Sequence, residues 1–136
     1  MIALTLAQVE SRYGLAHHDH LDREVEIPVV TRLGFQGDVA VVARTDVAPA
    51  TTPIPPAGYP VVRGEVGSNT HLLVGDGFFT PRPAVDADLV LGTLTVPPGG
   101  TTLLSHPEHG GLLIAPGTYV VRRQREQADN IRLVQD

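Results

Sequence analysis

The chain has 136 residues, of which 42% are apolar, 18% charged and 4% aromatic, and this balance predicts one small globular domain. It contains no cysteine, which excludes disulfides, thiolate metal sites and thiol nucleophiles. The net charge is −5 and every basic residue is arginine, so lysine Schiff-base chemistry is excluded and broad nucleic-acid binding is disfavoured. The apolar runs are too short to span a membrane and the N-terminus lacks a basic signal start. We therefore expect a cytoplasmic protein with no membrane partner.

The first 24 residues combine one helix signal with a histidine-rich run. Thr5 and Gln8 have the spacing of a capping box, and Gly14 can end the helix, so the pattern predicts a short helix at about residues 5–12. The run from Ala16 to Asp22 contains three histidines, His17, His18 and His20. We interpret this run as a solvated lead-in to the β core at residues 25–126, which a tail at 127–136 follows.

Short β-branched runs separated by glycine and proline follow, and they predict an all-β domain. The expected architecture is a small barrel or a jelly-roll-like sandwich of about eight strands. The triplet Gly75-Asp76-Gly77 is interpreted as a hairpin loop. The candidate strands are residues 25–30, 39–43, 61–66, 70–74, 89–96, 101–104, 112–114 and 119–125.

Residues 47–60 carry five prolines and no charge, which is incompatible with a central strand. One interpretation is a long surface connection between strands. The other is an arm that contacts a neighbouring subunit through Pro53, Pro55, Pro56 and Tyr59.

Three further histidines suggest a metal site. His106 and His109 flank Pro107 and Glu108 in a turn, and His71 lies on a predicted strand. If that strand pairs near the turn, three imidazoles could bind zinc or iron, with Glu108 as fourth ligand or general base. The alternative is an ordinary solvated turn.

An arginine strip ends the β core. Arg123 and Arg125 share one face of an extended strand, and Arg122 lies on the other. Such a strip can bind phosphate or a partner carboxylate, or it can form cross-strand ion pairs within the chain.

Residues 100–119 resemble part of the cupin metal signature. Gly100 and His106 have the spacing of that family, whereas Glu108 precedes His109 instead of following it, and Pro116 and Gly117 are adjacent. The resemblance implies a jelly-roll fold more than a metal assignment.

The chain also resembles a small group of uncharacterised bacterial proteins. The shared segments are Gln36-Gly37-Asp38-Val39, a strand bearing His71, and a His-Pro-Glu-His segment that runs on to Pro116–Glu126. This resemblance implies that the pattern recurs, and it carries no activity with it.

Two function classes follow from these observations. Catalytic signatures are few, so the favoured interpretation is a non-enzymatic structural or interaction module, either self-associating or bound to a protein partner in a larger assembly. The alternative is a cupin-like metal-binding protein or metalloenzyme that uses His71, His106 and His109.

Overall fold

Two five-stranded sheets face each other in the computed structural model, which describes residues 4–15, 23–63, 70–83 and 89–124. This arrangement confirms the predicted all-β sandwich, and the sheets are not closed into a barrel. The elements are α1 Leu6–Tyr13, β1 Val29–Val30, β2 Leu33–Gln36, β3 Val39–Ala43, β4 Tyr59–Val62, β5 His71–Gly75, β6 Phe78–Pro81, β7 Val90–Val96, β8 Thr102–His106, β9 Gly110–Ile114 and β10 Gly117–Arg123.

The first sheet has the strand order β1-β9-β8-β5-β4, and the second has the order β2-β3-β10-β7-β6. All neighbouring strands are antiparallel except β1, which runs parallel to β9. Both sheets therefore have two edge strands, namely β1 and β4 in the first and β2 and β6 in the second.

The inner faces of the two sheets form the main core. Side chains alternate across each strand, so Val39 and Val41 of β3 and Val121 of β10 point inward. Tyr119 is 1% exposed, and its hydroxyl donates a hydrogen bond of 2.7 Å to the carbonyl of Ala115. Burial of each large apolar side chain contributes about 1.5–3 kcal/mol, which makes this layer the main source of stability.

Helix α1 covers the outer face of the first sheet. The predicted capping box is present, since the Thr5 hydroxyl accepts from the backbone N–H of Gln8 and the Gln8 side chain accepts from the backbone of Thr5. Leu6 and Val9 form a second apolar cluster with side chains of β5, β8 and β9. No helix in the described part of the chain has the length and apolar character needed to cross a membrane.

The sequence did not predict strands β2 and β6, and the hairpin predicted at Gly75-Asp76-Gly77 is wrong. Gly75-Asp76-Gly77 joins β5 of the first sheet to β6 of the second, so the two strands do not pair. Apolar runs lie on both sides of the triplet because β5 and β6 contribute side chains to the same core from two different sheets. By contrast, β8 and β9 form a true hairpin through the loop at residues 107–109.

The proline-rich segment at residues 47–60 lies against its own chain. Its Ile54 is buried in the main core, and Pro53 forms an isolated bridge with Phe78, the first residue of β6. Tyr59 begins β4, with its ring 5.1 Å from that of Phe79. Pro55 and Pro56 remain exposed. The segment thus covers one side of the sandwich within its own chain.

Candidate functional site

Three imidazoles meet between the sheets at one end of the sandwich. His71 is the first residue of β5 and His106 the last of β8, and these antiparallel neighbours place the two rings 4.3 Å apart. His109, in the loop after β8, lies 4.5 Å from His106 and 6.4 Å from His71, measured between ring centroids. We call these three side chains the imidazole cluster. The sequence prediction that they could converge rested on pairing of the His71 strand near the turn, and that pairing is present.

The turn after β8 determines the tautomer of His106. Its Nδ1 accepts hydrogen bonds from the backbone N–H groups of Glu108, at 3.0 Å, and of His109, at 3.2 Å. An accepting nitrogen carries no proton, so the neutral ring of His106 carries its proton on Nε2. His106 is 4% exposed and therefore held inside the sandwich by its own loop.

Gln36 of β2 orients His71 from the opposite sheet. The side-chain amide of Gln36 donates from Nε2 to the carbonyl of Leu104 at 2.9 Å, which turns its Oε1 toward His71 Nδ1, also at 2.9 Å. Nδ1 of His71 is therefore the donor, and the lone pair of its neutral ring lies on Nε2. Both side chains are buried, so each hydrogen bond satisfies a polar group that water cannot reach.

Asp38 and Arg123 bring charge to the exposed side of the cluster. Oδ1 of Asp38 lies 3.7 Å from Nε2 of His71, while its Oδ2 accepts from Nη2 and Nε of Arg123 at 2.9 and 3.2 Å. A proton gained by His71 at Nε2 would therefore face a carboxylate that already has a cationic partner.

The surroundings of His71 oppose its protonation. The pKa of His71 is lowered from 6.5 to about 4, mainly by burial and further by the neighbouring His106, His109 and Arg123, against the opposing effect of Asp38. The ring is consequently neutral at physiological pH, with an available lone pair on Nε2.

Gly37 allows the β2–β3 turn to close over the imidazoles. Its φ of +57° lies in the left-handed region, and a Cβ atom there would lie 3.0 Å from Nε2 of His109 and 3.4 Å from Cε1 of His71. Glycine is therefore favoured both by the backbone conformation and by the close approach of the two rings.

The other predicted site residues lie apart from the cluster. Glu108 contributes its backbone N–H to His106, while its exposed side chain lines a cleft of about 270 Å³ beside His109. Arg122 is half-buried on the outer face of the second sheet, and its Nε has no hydrogen-bond partner among the described residues. Arg125 and the histidines at 17, 18 and 20 fall outside the described residues.

Sequence reasoning did not assign Gln36 and Asp38 to the site. The signal was nevertheless present, because Gly37-Asp38 ahead of the apolar run at Val39–Ala43 marks a tight turn that would present Gln36 and Asp38 at one end of a strand.

A bound metal would need a rearrangement of this site. Within the described ranges, no group of three or more His, Cys, Asp or Glu side chains could hold a metal ion as the side chains stand. The hydrogen bonds to His106 give one reason, since its Nδ1 lone pair is engaged by the backbone and its Nε2 carries the proton.

Comparison with known proteins identifies a family without an assigned activity. The model of a domain of unknown function, DUF8820, matches residues 35–124, a span that runs from β2 to just beyond β10. Gln36, Asp38, Arg123 and the imidazole cluster all lie inside it. No curated protein and no solved structure matches the chain. Because the family model covers more than half of its length, the chain belongs to the DUF8820 family.

Proposed function

We propose that this chain is a non-enzymatic interaction module that works in an oligomer or a larger assembly. The surface that supports this proposal is the outer face of β2, β3 and β10 in the second sheet. The proposal rests on the two large apolar side chains that this face exposes to solvent, those of Leu33 and Phe35.

The strand register brings these side chains together. Leu33 pairs with Val42, which pairs in turn with Val120. In the next row Phe35 pairs with Ala40, which pairs with Arg122. Because their sequence neighbours in β3 and β10 point into the main core, these side chains point outward. We call the five residues Leu33, Phe35, Ala40, Val42 and Val120 the β2 face, of which Leu33 and Phe35 are exposed, Val42 is half-buried, and Ala40 and Val120 are buried.

The exposure of two large side chains is the observation that carries the proposal. Leu33 and Phe35 are 55% and 51% exposed, and they extend the apolar surface formed by Val42. The outer face of an antiparallel sandwich is usually polar where water covers it. A contiguous apolar patch in that position marks a surface that another molecule covers.

Sedimentation velocity over a range of concentrations tests this proposal. We expect the wild-type chain to associate, and Phe35→Glu to weaken association at least about tenfold, which corresponds to about 1.4 kcal/mol. The matched control is Val25→Glu, because Val25 is also 51% exposed but lies outside the β2 face. A wild-type chain that stays monomeric throughout, or equal weakening by both variants, would contradict the proposal.

Binding of a divalent cation at the imidazole cluster is a second candidate. One observation favours it: Gln36 orients His71 through Nδ1, so that Nε2 presents its lone pair 3.7 Å from Oδ1 of Asp38. Metal-binding histidines are commonly oriented by such a hydrogen bond. Titration calorimetry of the untagged protein with zinc tests this candidate. Binding that His71→Gln abolishes and Glu108→Gln preserves would support it, and absence of binding to the wild type would contradict it.

A further inference from the structure

We propose that the molecule bound at the β2 face is a second copy of this chain, whose β2 adds antiparallel to the free edge of β2 about a two-fold axis. This inference rests on the proposed interaction function and specifies its partner. The two copies would join their second sheets into one continuous sheet of ten strands, since each contributes five.

The four sheet edges differ in how they are protected. In β4, Pro60 lacks a backbone donor and the pairing is irregular beside it. The edge of β6 is covered by the proline-rich segment, because the N–H of Phe79 donates to the carbonyl of Thr52 at 2.7 Å. Strand β1 has two residues. Only β2 presents a regular four-residue edge without proline, charge or a covering segment in the described part of the chain. Unprotected edges of this kind pair with other strands.

The backbone of β2 is set up for that pairing. The carbonyl of Arg32 accepts from the N–H of Ala43 at 2.7 Å, so residues 32, 34 and 36 exchange hydrogen bonds with β3. The N–H and C=O groups of Leu33 and Phe35 consequently point toward the free edge. A strand partner can accept and donate at all four of these groups.

One register uses all four groups and matches the side chains. If Gly34 of one copy lies opposite Gly34 of the other, Leu33 lies opposite Phe35 of the second copy in two equivalent hydrogen-bonded pairs. Leucine and phenylalanine then form cross-strand apolar pairs on the outer face, while Gly34 faces the core side near Val30. Next to Leu33 is an open cleft of about 500 Å³ that can receive the second Phe35, lined by Val29, Thr31, Arg32, Leu33, Val42 and Ala43.

The charges at the two ends of β2 are compatible with a second copy in this orientation and oppose the parallel one. Arg32 directly precedes β2, and Asp38 follows it after one residue of the turn. Antiparallel pairing brings Arg32 of one copy toward the Asp38 end of the other, at both ends of the interface. Parallel pairing would place like charges together. Asp38 is already paired with Arg123 of its own chain, so the charge order argues against parallel pairing and adds little attraction to the antiparallel one.

Disulfide trapping tests the proposed register, because the chain has no cysteine of its own. Leu33→Cys and Phe35→Cys are purified separately, and then oxidised either alone or after mixing and subunit exchange. Paired residues in the proposed register lie about 5.5 Å apart between Cα atoms, within disulfide reach, whereas equivalent residues of the two copies lie beyond about 7 Å. Val25→Cys is the control for collision between exposed cysteines.

Random exchange of subunits places about half of all chains in dimers that contain one copy of each variant. We therefore expect the oxidised mixture to contain up to about half of its chains as covalent dimer. Either variant oxidised alone should give little covalent dimer. Covalent dimer from Leu33→Cys alone or Phe35→Cys alone would overturn the register. If the wild type associates but no pair cross-links above the Val25→Cys level, the β2 pairing is wrong while the interaction function stands. If the wild type does not associate at all, the proposed function itself fails.

Discussion

Nδ1 of His71 lies 2.9 Å from Oε1 of Gln36, and this buried hydrogen bond joins the two sheets at the end of the sandwich that carries the imidazole cluster. The same amide donates to the carbonyl of Leu104 beside His71. Gln36 therefore satisfies two polar groups of the opposite sheet and selects the tautomer of His71.

Replacing Gln36 by leucine should destabilise the fold by about 1–3 kcal/mol, because the buried Nδ1–H donor of His71 would lose its acceptor and the carbonyl of Leu104 would lose one hydrogen bond. Urea denaturation measures the free energy of unfolding. Gln124→Leu is the matched control at an exposed position, where we expect a change within about 0.5 kcal/mol. Equal effects of the two substitutions would show that the Gln36 hydrogen bonds contribute nothing to stability.

Acidification should destabilise the protein through His71. The pKa of His71 is about 4 in the folded chain, against 6.5 ordinarily, so between these values the unfolded chain binds a proton that the folded chain does not. The stabilisation is thus complete above about pH 6.5 and is lost as the pH falls toward 4. Between pH 7.5 and 5.5 this single group should cost on the order of 1 kcal/mol.

Denaturation curves at both pH values, compared between the wild type and His71→Gln, measure this effect. Glutamine can still donate to Gln36 but does not titrate, so the variant should show a smaller loss on acidification. His109→Gln, at an exposed position, should keep most of the loss because burial is the largest cause of the shift at His71. The same pH dependence in the wild type and His71→Gln would contradict the assignment.

The two charged neighbours should move the His71 titration in opposite directions. Asp38→Asn removes the carboxylate that favours protonation, so the pKa of His71 should fall further. Arg123→Gln removes a cation and frees Asp38, so the pKa should rise. NMR titration of the His71 ring resonances checks both. Shifts of the same sign would mean that the ion pair does not act on His71 through charge.

Gly37→Ala should destabilise more than Gly14→Ala. Both glycines have φ in the left-handed region, +57° and +67°, which costs an alanine roughly 1 kcal/mol at either position. A Cβ on Gly14 would meet open space, whereas one on Gly37 would press on the rings of His109 and His71. The difference in unfolding free energy between the two variants therefore measures the packing of the turn on the cluster. Truncation of His109 to alanine should reduce that difference.

The sequence was informative about the fold where one local signal was sufficient. The capping box at Thr5 and the continuous apolar run at Val39–Ala43 each predicted their element closely. Strand β2 has only four residues, and two of them are Gly34 and a polar residue. Its composition therefore does not indicate a strand. The crossover at Gly75–Gly77 was unpredictable for another reason, since a loop between sheets and a hairpin loop use the same residues.

The candidate site, like the fold, could be predicted from the sequence only in part. Clustering of His106 and His109 in one turn was visible in the sequence, and the convergence of His71 followed from a single assumed strand pairing. The contribution of Gln36 comes from the other sheet, and only the packing of the two sheets brings it to His71. The exposure of Leu33 and Phe35 could not be predicted either, because the sequence of a short strand does not show which face of the sheet an apolar residue occupies.

Amide hydrogen exchange at Leu33 and Phe35, followed as the protein concentration is raised, tests the central claim of association through β2 most directly. Their N–H groups point to the free edge, so they should exchange fast in dilute solution and become protected as the chain associates. The amide of Gly34 points to β3 and should be protected at every concentration, which makes it an internal reference. Protection of Leu33 and Phe35 that rises with association is the predicted result, and fast exchange at both residues in the associated species would contradict the account.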